Sequence, residues 1–215
     1  ATVIATALGT LAALGLSRPH MPYKGLIMAI LISPMIVPLI ITAAGMFFFY
    51  ARINLVYTFT GVILAHVALA TPFVVITVTA TLVGFDMNMV KAAQSLGAKP
   101  MRTFFKVIMP LILPGIISGA LFAFITSFDE VVIVMFMASI DQLTIPKQMW
   151  AGIRQEISPV ILCMATCLVL LSIFLLTTVE LLRRGLKNSE VLKLDRIVKN
   201  IAVIGAGIVG ICSAY

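Results

Sequence analysis

The stretch KAAQSLGAKPMRTFFKVIMP, residues 91–110, decides how the chain is read. It holds Lys91, Lys99, Arg102 and Lys106 and no acidic residue, in a chain that is 61% hydrophobic. Its local structure follows from a few residue types. Asp86 is a good N-cap, and Met87 to Leu96 suit a short helix with Val90 and Ala93 on one face. Gly97 supplies a left-handed stop. Ten helical residues measure about 15 Å. Pro100 then suits the first turn of a second helix, running through Phe104 and Phe105 towards Pro110. Small Ala92 and Ala93 permit close approach by a partner. The residues alone leave two readings open: a helix lying across a membrane surface to meet a partner, and a solvated basic loop that only fixes topology.

Composition supplies the membrane. Only 11% of the 215 residues are charged, against about 25% in a soluble domain, and the mean hydropathy is +1.16. This is an integral membrane protein. The formal charge of +7 suits cytoplasmic loops between spans. It does not indicate nucleic acid, because the bases are scattered among apolar segments without interleaved aromatics. Of the three cysteines, Cys163 and Cys167 lie one helical turn apart in an apolar run and Cys212 lies near the end. No spacing suggests a zinc site or a disulfide framework, so they read as small apolar fillers.

A membrane helix needs about 20 mostly apolar residues. Five stretches qualify: 1–17, 25–50, 54–83, 108–137 and 158–182. The expected fold is an all-α, polytopic transmembrane helical bundle with about five spans. Placing 84–107 in the cytoplasm puts 18–24 and the polar tail there too, because two spans separate each from the next. That side then carries twelve of the fifteen Lys and Arg residues, leaving Arg52, Lys147 and Arg154 opposite, as the positive-inside rule requires. The chain opens and closes inside apolar runs, so it is expected to be a fragment at both ends.

Asp129 and Glu130 lie inside the fourth candidate span, where burying carboxylates is costly unless they face a polar cavity or a partner. Thr126, three and four residues earlier, completes a polar patch. The 15 residues from Pro114 to Asp129 rise about 22 Å, which sets the pair towards the outer side. Contact with a cationic substrate and a structural cap both fit. Gly115 and Gly119 form a small-xxx-small step that favours close helix packing. Pro34, Pro38 and Pro72 imply kinks. His66, alone in mid-span, reads as a hydrogen-bonded packing residue rather than a gate.

The segment 91–110 resembles the EAA loop of ABC importer permeases, the inner-membrane components of binding-protein-dependent systems. That pattern is Glu-Ala-Ala, three residues, Gly, nine residues, then Ile-x-Leu-Pro. Ala92, Ala93, Gly97 and Pro110 fall at those spacings, with Val107 and Met109 as conservative replacements, while Lys91 stands where the family has Glu. The stretches LPGIISGALFAFITSFDEVVI (113–133) and TIPKQMWAGIRQEISPVI (144–161) resemble the spermidine/putrescine branch. The resemblance covers about residues 1–185 and implies a MetI-like permease domain that lacks the first of six spans. It further implies a coupling helix, with loop 84–110 docking on cytoplasmic ABC ATPase subunits through Lys91, Ala92, Ala93, Gly97 and Pro110. The other implied partners are a second permease subunit, an extracytoplasmic substrate-binding protein and the lipid bilayer of a bacterial inner membrane. Thr126, Asp129 and Glu130 become substrate-path candidates for a polyamine or another small cation. No cofactor is implied, and with no Walker A pattern the chain would bind no nucleotide alone.

The tail, 186–215, carries a rival motif. IAVIG (201–205) runs into Gly205-x-Gly207-x-x-Gly210, which resembles the opening of a dinucleotide-binding βαβ unit in flavin-dependent oxidoreductases. Only five residues follow Gly210, so the second strand and its ribose-binding acid have no counterpart. The alternative function is a membrane-anchored flavin-dependent oxidoreductase, with residues 1–185 as its anchor.

Overall fold

The computed structural model describes residues 1–18, 21–84, 88–155, 159–178, 180–181 and 184–185. Every element among them is helical, as apolar runs of this length dictate, since a helix satisfies each backbone group within lipid. In chain order they are α1 (Thr2–Leu16), α2 (Lys24–Ile36), α3 (Leu39–Arg52) and α4 (Phe59–Val83). There follow α5 (Asn88–Ser95), α6 (Pro100–Phe128), α7 (Val132–Met137), α8 (Ile145–Gln155) and α9 (Pro159–Thr178). Residues up to Ile173 form one compact unit, and 174–215 cluster as another.

Among the described residues, three helices, α4, α6 and α9, are long and apolar enough to cross a membrane. The stretch 25–50 is not one straight span: α2 and α3 are bent by 106° at their junction. The cause is local. Pro38 cannot donate an N–H and disfavours helical geometry in the residue before it, and Val37 is extended at ψ 136°. Pro34 is milder. The Ile30 carbonyl that it leaves without a backbone donor accepts the Ser33 hydroxyl at 2.8 Å, and the helix continues. Pro72 likewise sits inside an unbroken α4.

α4 and α6 form the centre. They run antiparallel, as three pairings show: Gly115 against Thr81, Gly119 against Thr77, and Ser127 against His66. A Cβ on Gly119 would lie 2.5 Å from Thr77 Oγ1 and 2.9 Å from Val74 Cα. One on Gly115 would collide with Thr81 Oγ1. α1 reaches the same helix through Gly9, where a Cβ would be 2.6 Å from Val74 Cβ. Lipid tails are as apolar as leucine, so such helices gain from tight van der Waals packing rather than from leaving water. Val74 and Val78 of α4, Ile112 and Ala123 of α6 and Ala5 and Ala13 of α1 are buried together.

A second cluster joins α3 to the other end of α4 and to α7 through Ala43, Ala65, Leu69, Ile133 and Met137. At that end the Tyr57 N–H donates to the Met137 carbonyl at 2.8 Å. Gln142 Nε2 donates to the Tyr57 carbonyl at 3.2 Å. The turn after α3 and the segment after α7 therefore share one end of the bundle, which is the pairing that the charge count requires.

If the glycine contacts hold α4 to α6, Gly119→Val should cost about 1–3 kcal/mol through overpacking, lowering the thermal midpoint of detergent-purified protein by roughly 2–12 °C. Gly45, whose Cβ would meet nothing within 4 Å, is the control, and Gly45→Ala should not lower it. Size-exclusion of heated samples reads both, and an unmoved midpoint for Gly119→Val would show that the helices do not touch there.

Candidate functional site

The basic stretch is built as a short helix, a stop and a long helix. α5 ends on Gly97, which adopts φ +79°. Two bonds close the end: the Gly97 N–H donates to Gln94 O at 2.9 Å and the Ala98 N–H to Ala93 O at 3.1 Å. This is a Schellman ending, and glycine suits it because a Cβ is disfavoured in the left-handed region. Space is not the constraint, since nothing lies within 4 Å of where a Cβ would be. Lys99 is extended and Pro100 opens α6. Asp86 and Met87, expected to cap and begin the surface helix, lie outside the described residues.

The helix has two faces. Val90 and Ala93 are half-buried, as is Ala98 beyond the stop, whereas Lys91, Ala92, Gln94, Ser95 and Gly97 are exposed. Leu96 is 89% exposed. Ala93 thus faces partly inward, while Lys91, Ala92 and Leu96 are presented outward. Lys99, Arg102 and Lys106 are exposed as well. Pro110 lies a turn further on, just past a π-turn at Phe104–Ile108 that no residue pattern foreshadows. Residues 91–110 therefore bring an exposed basic surface to the start of a helix that crosses the membrane.

At the other end of α6 the carboxylates are arranged differently from the expectation. They do not sit inside the span: the helix ends at Phe128, and the chain turns before α7 begins at Val132. Glu130 is buried, and its Oε1 accepts the Ile133 N–H at 2.8 Å. A buried carboxylate without water needs donors, and leaving the helix gives Glu130 the free N–H groups at the start of α7. Asp129 is exposed. Thr126 is half-buried and bonds to neither carboxylate, so the three do not form one hydrogen-bonded patch. The two acids have separate surroundings, one a cap and the other open.

His66 is buried, with Nδ1 2.9 Å from Ser127 Oγ, which ties α4 to α6 and accords with a packing role. Two residues that sequence reasoning missed organise the end of the bundle that Tyr57 and Met137 share. Gln142, buried, also accepts the Ser139 N–H through Oε1 at 3.1 Å. Lys147 Nζ donates to Ser139 O at 3.1 Å and Ala138 O at 3.4 Å, which covers carbonyls just past α7. The glycines of the rival motif, Gly205, Gly207 and Gly210, lie outside the described residues.

Comparison with known proteins places the chain. The profile of the family described as "Binding-protein-dependent transport system inner membrane component" matches residues 5–188. The spermidine/putrescine transport system permease protein PotC of Haemophilus influenzae is 30% identical over 190 residues, covering 88% of this chain and 73% of that protein. PotC of Escherichia coli K12 is 29% identical over 180 residues, 84% and 68% of the two chains. The putrescine permease protein PotI of the same strain is 37% identical over 103 residues, 48% of this chain and 37% of PotI. The oxidoreductase alternative is thereby corrected: these relatives are transport permeases, and the glycine motif lies beyond the family match. The chain belongs to the inner-membrane components of binding-protein-dependent transport systems, and it is a permease subunit of such a system rather than an enzyme.

Proposed function

We propose that the chain forms part of the substrate pathway of an ATP-driven importer and receives its drive through loop 84–110. The observation that carries this reading is the unbroken run from an exposed surface helix, through the Gly97 stop, into the membrane-crossing α6. A force applied to α5 has only Leu96–Lys99 between it and the span. Lys91 and Ala92 would contact cytoplasmic ATPase subunits, while half-buried Ala93 is turned partly inward. Where the family pattern has Glu, Lys91 presents a cation, so the facing group on the ATPase would be anionic. A second permease subunit and an extracytoplasmic binding protein complete the assembly. Residues 1–185 would make up the permease domain and 186–215 a separate tail, in keeping with the family match ending at 188.

The proposed cargo is a polyamine or another small cation. Two features support it: the names of the relatives and the exposed carboxylate of Asp129 at the end of α6 opposite the basic segment. In the assembled importer, a cation meeting this carboxylate where partner subunits enclose it would gain binding, and about 1.4 kcal/mol is tenfold. Glu130, engaged with Ile133, would hold the turn that presents Asp129.

Two outcomes follow. Gly97→Val should reduce co-purification of the ATPase with the permease, whereas Gly97→Asn, which tolerates positive φ, should retain most of it. Equal recovery of the ATPase with both variants would count against docking at this helix. Asp129→Asn should weaken apparent substrate affinity by about tenfold or more with assembly intact. Glu130→Ala, by contrast, should lower the amount of assembled complex through loss of about 1 kcal/mol of capping. Uptake measured at matched expression decides both, and normal uptake by Asp129→Asn would remove that residue from the path.

A further inference from the structure

α6 is not uniform along its length. Its first turn, Pro100–Thr103, is helical, and the Phe104 N–H donates to both the Met101 and Pro100 carbonyls. The next five residues, Phe104–Ile108, form a π-turn in which the Met109 N–H reaches back to Phe104 O. Regular α-helix resumes at Met109. Such turns hold one residue more than the surrounding helix needs, and they collect at functional sites.

Proline does not by itself require this turn. Pro110 lacks an N–H and would crowd the Lys106 carbonyl, yet Pro34, Pro72 and Pro114 lie within α-helical stretches of the same chain. A second feature sits beside it. Thr103 is only 3% exposed, and its Oγ1 has no hydrogen-bond partner among the described residues. Thr6, Thr71, Thr77 and Thr81 each donate to the carbonyl four residues earlier, whereas Thr10 of α1 and Thr79 of α4 share the unmet state of Thr103. The junction between surface helix and span thus combines a wide turn with an unmet buried hydroxyl, and buried polar groups are seldom left unmet.

We propose that the π-turn Phe104–Ile108 is a register switch. Closing it to α geometry turns Pro100–Thr103, and α5 with it, by about one residue's step, roughly 100°, relative to Met109–Phe128. The Thr103 hydroxyl, unmet in the register seen here, moves with that turn to a place where a partner can meet it. Interfaces that have two packings convert a small displacement into a discrete one. The switch rests on the docking reading of loop 84–110: ATPase closure supplies the difference in binding that favours one register over the other.

The test uses the assembled complex, with Cys163, Cys167 and Cys212 replaced by serine. Spin labels are placed through Val83→Cys and Met101→Cys, at positions 79% and 69% exposed. The distance between them should change by about 5 Å or more between nucleotide-free and ATP-bound states. Deleting Phe105, which is exposed, removes the extra residue. That chain should hold one distance in both states and lose uptake at least tenfold while still recovering the ATPase, whereas Phe105→Ala should keep the distance change. An unchanged distance in the full-length chain overturns the switch, as does a deletion variant with normal uptake. If the deletion variant does not assemble, the label pair in the full-length chain decides alone. Loss of the ATPase from the full-length chain would instead defeat the docking reading, and the switch with it.

Discussion

The arrangement depends on backbone contact between α4 and α6. Gly115 and Gly119 let Thr77 and Thr81 approach to the point where a single added methyl would collide. Because the contacts recur along both helices, ending in the pair His66–Ser127, the two behave as one antiparallel post. α1 joins it through Gly9 at Val74, and α3 and α7 pack near the other end. In lipid, where apolar burial offers little between helices, such close fit is the main source of specificity.

That post gives the two ends of the molecule a fixed relation. At one end it carries the exposed helix α5 and the cations of residues 91–110. At the other it carries Asp129, the Glu130 cap and the bonds among Tyr57, Met137 and Gln142. On the proposed reading, motion imposed on α5 sets the register at the π-turn, and the post beyond it, Met109–Phe128 packed on α4, moves as one unit. The π-turn interrupts α geometry in α6 between Pro100–Thr103 and Met109–Phe128. Charge supports the same polarity: the bases gather where an ATPase would sit, and the exposed acid lies where a cation would enter.

Much of this was legible in the sequence because it depends on single residues with strong local consequences. Gly97 stops a helix by tolerating a positive φ, Pro100 starts one, and Gly115-x-x-x-Gly119 fits the near approach of a neighbour. Other features left no periodic trace, some being local breaks of the helix and one, Gln142 with Tyr57, depending on a partner distant in sequence. The pattern of 25–50 reads as one span, although Pro38 turns the backbone through 106°. Glu130 looked like a membrane-buried acid because hydropathy cannot show that the helix ends at Phe128 to hand it a backbone donor. Gln142 and Lys147 sit in an ordinary polar connection, and only folding shows that they meet Tyr57, Ala138 and Ser139. Neither Phe104 nor Ile108 announces the π-turn.

The central claim, that α5 is the surface that meets the ATPase, is tested most directly at Leu96. Its side chain, in the turn that ends α5, is 89% exposed. A photo-activated cross-linking residue placed there, in the assembled complex, should join the permease to the ATPase subunit in high yield. The same residue at Ile140, 90% exposed near the opposite end, should give none. Cross-linking to lipid alone from position 96, or an ATPase adduct from position 140, would contradict the account.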